Sequence, residues 1–314
     1  RNFLEGKADT GEVLMPGSDG ARGWRQHLYF TFLQWERKLR SNLTIAAGLR
    51  YEPYSTPTEV NDKIATLPHP ESDASTTVGG PLFINPSKDN FAPRVSLAWD
   101  PTGKGRTVLR AGGGIFFDLL GTRELLIAGA RMHPFFSRAF IRNPRFPDIT
   151  NGIAGAKPSK APDGIDYYVN QPYVLHHQLT IEQAIGNNWI AQISYAGSRG
   201  VHLPGQLGNI NPTKPQVLSD GRLYFPDGAP RINPNFDQIG MRRTHFNSYF
   251  NALHVELQKK AFQSRWAMQV RYSWAKSIDQ TSSTVYQEFS NSDLFPTMLD
   301  YRQNRGLSDF DIRH

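Results

Sequence analysis

The sequence predicts an all-β fold of antiparallel strands, on three observations. Several segments alternate apolar and polar residues with period two, the mark of a strand whose two faces meet different surroundings. Aromatic residues make up 12% of the chain, alongside 27 Gly and 22 Pro, which suits Tyr-, Trp- and Phe-rich strands joined by many turns. No run approaches the roughly 20 consecutive apolar residues that a membrane-spanning helix requires, so a helical membrane protein is excluded.

Taken in chain order, the strands form four hairpins. The first pairs 27–39 with 42–54 across Arg40-Ser41. In its second arm, Leu43-Thr44-Ile45-Ala46-Ala47-Gly48-Leu49-Arg50-Tyr51, odd positions are apolar and even ones small or polar. The second hairpin pairs 90–100 with 107–118 and turns through Pro101 to Arg106. The third pairs 174–185 with 189–197 across Gly186-Asn187-Asn188, and the alternation returns from Trp189 to Tyr195. The fourth pairs 249–262 with 265–275 across Gln263-Ser264, with the cleanest alternation from Trp266 to Trp274. All four turns carry turn-forming residue types.

Between hairpins the connections are long: 55–89, 119–173, 198–248, and 276 to about 308. Connections above about 12 to 15 residues are uncommon in compact soluble domains. A transmembrane barrel requires this alternation, with short turns on one side, long loops on the other and strands of ~9 to 11 residues crossing the bilayer at a tilt. The prediction sharpens to an antiparallel transmembrane β-barrel segment of about eight meandering strands, apolar toward lipid and polar toward a lumen. Proline- and asparagine-rich stretches such as Arg142 to Pro147 and Asn211-Pro212 then become outward-facing loops, where a rigid scaffold presents binding residues.

This assignment names two sets of residues. Arg50, Arg94, Arg110, His254, Glu256, Gln269 and Arg271 fall on the lumen face. Cationic side chains there favour anionic solutes or pair with acids, and His254 and Glu256, with Gln258, share this face either as solvated wall positions or as contacts for a polar ligand. The second set forms aromatic girdles at the two membrane interfaces. Trp99, Trp189 and Trp266 lie at short-turn ends, and Tyr51, Phe117, Tyr195 and Trp274 toward long-loop ends.

Other function classes find little support. The net charge of +7 comes from 35 Lys and Arg scattered among 28 acids, not the concentrated patch that nucleic acid demands. With no cysteine, thiolate catalysis and Cys-based zinc sites are excluded. His176 and His177 are adjacent, so on a strand they face opposite ways, and no metal-binding spacing occurs; no metal or cofactor is expected. Neither Gly112-Gly113-Gly114 nor Gly103 to Thr107 has phosphate-loop spacing, and strand glycines instead mark a bend or a close approach. No nucleophile elbow or triad is present, so the sequence does not read as an enzyme. A passive porin or surface adhesin, and a soluble β-rich carbohydrate-binding protein, stay open as alternatives.

Five phrases carry a more specific likeness: Asn42 to Glu52, Asn90 to Arg94, Tyr195 to Gly200, Ser273 to Asp279, and Leu307 to His314. In this order they resemble the barrel region of TonB-dependent receptors of the Oar-like type, abundant in Acidobacteria and usually carrying a carboxypeptidase-regulatory-like N-terminal domain. The resemblance implies a 22-stranded barrel closed by a plug in the outer membrane of a Gram-negative cell. It also implies insertion by the barrel assembly machinery and energy-coupled uptake of a scarce or large solute, powered through the TonB-ExbB-ExbD system acting on the plug. Residues 1–314 would then be a partial barrel domain of eight strands and the start of a ninth, an open sheet in isolation. The signal peptide, regulatory-like domain, TonB box and plug of such receptors find no match in these residues.

Overall fold

The structure, a computed structural model, describes residues 8–120, 128–144, 147–261, 265–281 and 301–314. Its main sheet contains eight long strands: β1 (Thr31–Arg40), β2 (Leu43–Tyr51), β3 (Phe91–Trp99), β4 (Thr107–Phe117), β5 (Tyr173–Ile185), β6 (Trp189–Leu207), β7 (Gly240–Lys259) and β8 (Met268–Asp279). Each hydrogen-bonds to its neighbours in chain order, and the short β9 (Gly306–Leu307) pairs with the end of β8. These strands form one antiparallel meander, with the short strand Asp163–Ile165 pairing parallel to the start of β7 off its path; the outer strands, β1 and β9, do not meet, so the sheet is open. The named helical elements among the described residues are short 3-10 segments.

The short turns follow from local chemistry. Between β3 and β4, the Asp100 carboxylate accepts from the backbone amides of Thr102, Gly103 and Gly105. Gly103 and Gly105 have φ of 66° and 68°, a region glycine enters without a steric penalty. The Gln263-Ser264 turn and Arg145-Phe146 lie outside the described residues.

Register makes the two faces explicit, because directly paired residues project to the same side. One row runs Ile45, Leu97, Ala111, Leu179, Tyr195, Leu253, Trp274 from β2 to β8. The adjacent row runs Thr44, Ala98, Arg110, Thr180, Ser194, His254, Ser273 on the opposite face. The apolar row does not enter a core: Leu179, Tyr195 and Trp274 are 45%, 40% and 55% exposed. A soluble sandwich would bury that face against a second sheet; among the described residues none covers it.

The buried apolar residues instead gather in the long connections and the strand ends that enter them. One cluster joins Tyr54, Ile64, Leu82, Phe83, Leu120, Ala128, Ile165 and Val169, with Trp24 packed against it. A second joins Ala65, Leu67, Met132, Leu207, Ile210, Phe236, Ile239, Met241 and Phe246. The loops on one side of the sheet therefore form a folded layer with its own hydrophobic interior.

Two strand boundaries correct the sequence reading. β6 continues beyond Gly197 to Leu207, and β7 begins at Gly240 rather than near Tyr249, so much of 198–248 is strand rather than loop. The register shifts between Gly200 and Leu203 and again between Leu203 and Gly205, and His202 has a φ of 56°. Such shifts exchange the two faces and erase period-two alternation. These extensions also pack into the loop layer, with Leu207, Met241 and Phe246 in its second cluster.

Candidate functional site

The polar face of the sheet carries the first set of predicted residues. Arg50, Arg94, Arg110, His254, Glu256, Gln269 and Arg271 all occupy registers on that face. Their surroundings differ. Glu256 on β7 is the centre of one group: Gln269 Nε2 donates to it at 2.6 Å, Arg271 Nε donates at 2.8 Å, and a second Arg271 nitrogen also reaches it. Beside them His254 Nδ1 lies 2.8 Å from Ser273 Oγ.

The other arginines stand on separate strands. Arg110 donates to Glu182 at 2.8 Å, and Arg50 Nε lies 2.6 Å from Glu52 Oε1. Arg94 has no carboxylate partner among the described residues; its guanidinium carbon lies 4.2 Å from the centre of the Phe116 ring. Phe116 in turn meets His176 edge-on at 5.3 Å. Exposed ion pairs of this kind contribute only about 0 to 1 kcal/mol. Their consequence is electrostatic: three of the four arginine charges are offset by a nearby carboxylate, and that of Arg94 is not.

Next to Arg94 the face sinks into a depression of about 430 Å³. Its floor is Gly112 to Gly114, and Phe116, His176, Gln178, Ser198 and Phe250 line it. The glycines are required by close approach: a Cβ at Gly113 would lie 2.9 Å from the His176 carbonyl oxygen, and one at Gly114 2.8 Å from Arg94 Cγ. Sequence reasoning singled out the glycine run but missed Phe116, His176 and Gln178 as its neighbours. Period-two parity places all three on the polar face; the register that brings them to the glycines was the missing signal. Among the described residues no group of three His, Asp or Glu is placed to hold a metal ion.

The predicted aromatics lie on the apolar side. Tyr51 stacks on Phe91 at 4.5 Å and donates to the Lys88 carbonyl, and Phe117 meets Tyr173 at 5.7 Å. Trp189 meets Trp266 edge-on at 6.2 Å, with Lys259 Nζ 4.0 Å from the Trp266 ring. Trp266 itself precedes β8 rather than lying in it, and Trp99 ends β3. Tyr195 and Trp274 flank Leu253 in one row inside their strands, with β6 continuing to Leu207 and β8 to Asp279.

A family model described as an outer membrane beta barrel domain matches residues 1–314. The chain belongs to that family. An outer membrane beta barrel domain resides in the outer membrane, so the exposed apolar face is the one that lipid covers. Lipid has no use for a buried core between sheets, which accounts for the position of the two hydrophobic clusters beyond the strands. No curated protein matches the chain. Among solved structures, the outer membrane transporter YddB from Escherichia coli is similar over 81% of this chain at 14% identity, with a TM-score of 0.44. The chain spans 25% of that transporter's length.

Proposed function

We propose that this chain is part of the barrel of an energy-coupled outer-membrane receptor of the TonB-dependent, Oar-like type, which takes up a scarce or large solute. The long loops capture the solute, the polar face lines its passage, and the TonB-ExbB-ExbD system supplies energy through a plug contributed by sequence outside these residues. The mechanism is binding and gating, without covalent chemistry. The observation that carries this reading is the packed loop layer. Loops that merely joined strands would need no interior, whereas two hydrophobic clusters hold these in a fixed arrangement that can present binding groups. The ordered resemblance of the five sequence phrases to Oar-like receptors supports the energy coupling.

A passive porin or a surface adhesin shares the barrel and is separated by experiment. Full-length protein reconstituted in a planar lipid bilayer should show no steady ion conductance, because a plug closes the lumen. The same protein in cells should cross-link to TonB. An open, steady conductance without TonB cross-links sinks the proposal in favour of a porin; a closed barrel without them points to an adhesin.

A further inference from the structure

We propose that a polar cavity in the loop layer binds a small monoanionic carboxylate group on a ligand portion no larger than about one sugar ring. The proposal deepens the receptor reading by naming its class of solute, and rests on that reading only for the step from binding to uptake.

The cavity has a volume of about 200 Å³ and is lined by Arg131, Arg138, Asp163, Gln206 and Gln238, with the backbone of Gly208 and Gly240. Sites for drug-sized ligands run from about 300 Å³ upward, so this one accepts a single ring or short chain. It forms where the strand Asp163–Ile165 runs parallel to the start of β7, with Asp163 beside Gly240. Gly240 permits the approach, since a Cβ there would lie 2.9 Å from Asp163 Oδ1.

Hydrogen-bond capacity decides what the cavity can take. Asp163, the one carboxylate in the lining, already accepts from Arg242 Nη1 at 2.7 Å and has Arg131 Nη1 at 3.6 Å. Arg242 Nη2 donates to Gln206 Oε1 at 3.2 Å, which turns the Gln206 amide so that its Nε2 is left as a donor. Arg138 donates to Glu12 at 2.7 Å. Arg131 is 44% exposed and has only the long contact with Asp163 among its described side-chain partners. The cavity is therefore rich in free donors, on Arg131 and Gln206, and its carboxylate is already engaged. Its complement is a group of acceptor oxygens.

Charge narrows the class. Arg131, Arg138 and Arg242 stand against Asp163 and Glu12, leaving one positive charge. A carboxylate neutralises it and fits the planar guanidinium fork of Arg131. A phosphate dianion overfills it, and a neutral sugar leaves it unmet.

The test is isothermal titration calorimetry on the full-length protein in detergent micelles, with sodium glucuronate, glucose and inorganic phosphate as probes at equal ionic strength. Glucuronate should bind saturably and more tightly than either of the others. Arg131→Gln should weaken it roughly tenfold or more, because a charge-assisted pair is lost. Gln206→Glu keeps an acceptor for Arg242, so the layer stays folded, yet it should abolish binding by repulsion. Absence of glucuronate binding, equal affinity for glucose, tighter binding of phosphate, or wild-type affinity in Arg131→Gln each overturns the proposal. Bilayer conductance and TonB cross-linking do not involve this cavity, so the receptor reading and the carboxylate site can fail separately.

Discussion

Arg242 and Asp163 form an ion pair of 2.7 Å whose side chains are only 2% and 9% exposed. The pair ties the connection between β4 and β5 to the start of β7, inside the loop layer. Removing one partner of such a pair leaves an uncompensated buried charge and costs about 3 to 5 kcal/mol, whereas replacing both with apolar residues of similar size is far better tolerated. Asp163→Ala should therefore loosen the layer, and Asp163→Leu combined with Arg242→Met should restore it. Hydrogen exchange across Leu207 to Met241 reads the result: rapid exchange in the single variant and recovered protection in the double. Equal protection in the single variant and the parent would show that the pair does not hold the layer together.

The β3–β4 turn carries a pH dependence whose sign follows from Asp100. Its carboxyl is held below the usual carboxylate range chiefly by the Gly105 amide, against a smaller cost of partial dehydration, with Thr102 and Gly103 adding to the effect. A depressed pKa gives stability that is fully present above the unfolded value of about 3.9 and is lost as pH falls through the folded value. The Gly105 amide, 2.6 Å from Asp100 Oδ2, should stay protected from pH 5 to 8, an interval placed above that reference value, and lose protection only below it. Asp100→Ala should remove the protection at every pH. Amide exchange at Gly105 in the parent and the variant checks both statements.

What was legible in the sequence follows from where lipid acts. Between Leu43 and Tyr51, or Trp189 and Tyr195, one face must be apolar and the other is free to be polar, so single residues reveal their side. Lumen partnerships were half legible: Glu182 shares parity with Thr180, but only the register pairing Thr180 with Arg110 brings that carboxylate to the arginine. The loop layer left no periodic trace. Tyr54 and Val169 share a cluster from connections far apart in sequence, and no alternation is imposed on segments packed from all sides. The extensions of β6 and β7 were missed for the same reason, compounded by the register shifts near Gly200 and Gly205.

Gly113 tests the close approach of β4 and β5. A Cβ added there would come within 2.9 Å of the His176 carbonyl oxygen, a backbone atom that cannot move without displacing its strand. Gly113→Ala should cost about 1 to 3 kcal/mol, the range for overpacking a fitted site. The measurement is a denaturant titration of the full-length protein in detergent. An unchanged midpoint would place the two backbones farther apart than described.

The assignment of faces makes the sharpest prediction, because neighbouring rows should respond oppositely to the same charge. Val255 is 41% exposed on the apolar face and pairs with Ile193 and Tyr272. Ser194 is one position along β6 from Ile193, on the polar face, paired with His254. An arginine facing lipid costs about 2 to 4 kcal/mol at the bilayer midplane and about 0 to 1 near the interfaces, while lumen positions tolerate it. Val255→Arg should therefore lower folding stability by an amount in the midplane range, and Ser194→Arg should change it little. Denaturant titration of full-length protein in lipid vesicles separates the two. Similar losses from both variants would mean that Ser194 does not face a water-filled lumen. A loss confined to Ser194→Arg would reverse the faces, and with them the placement of Arg94 and the glycine-floored depression on the inside of the barrel.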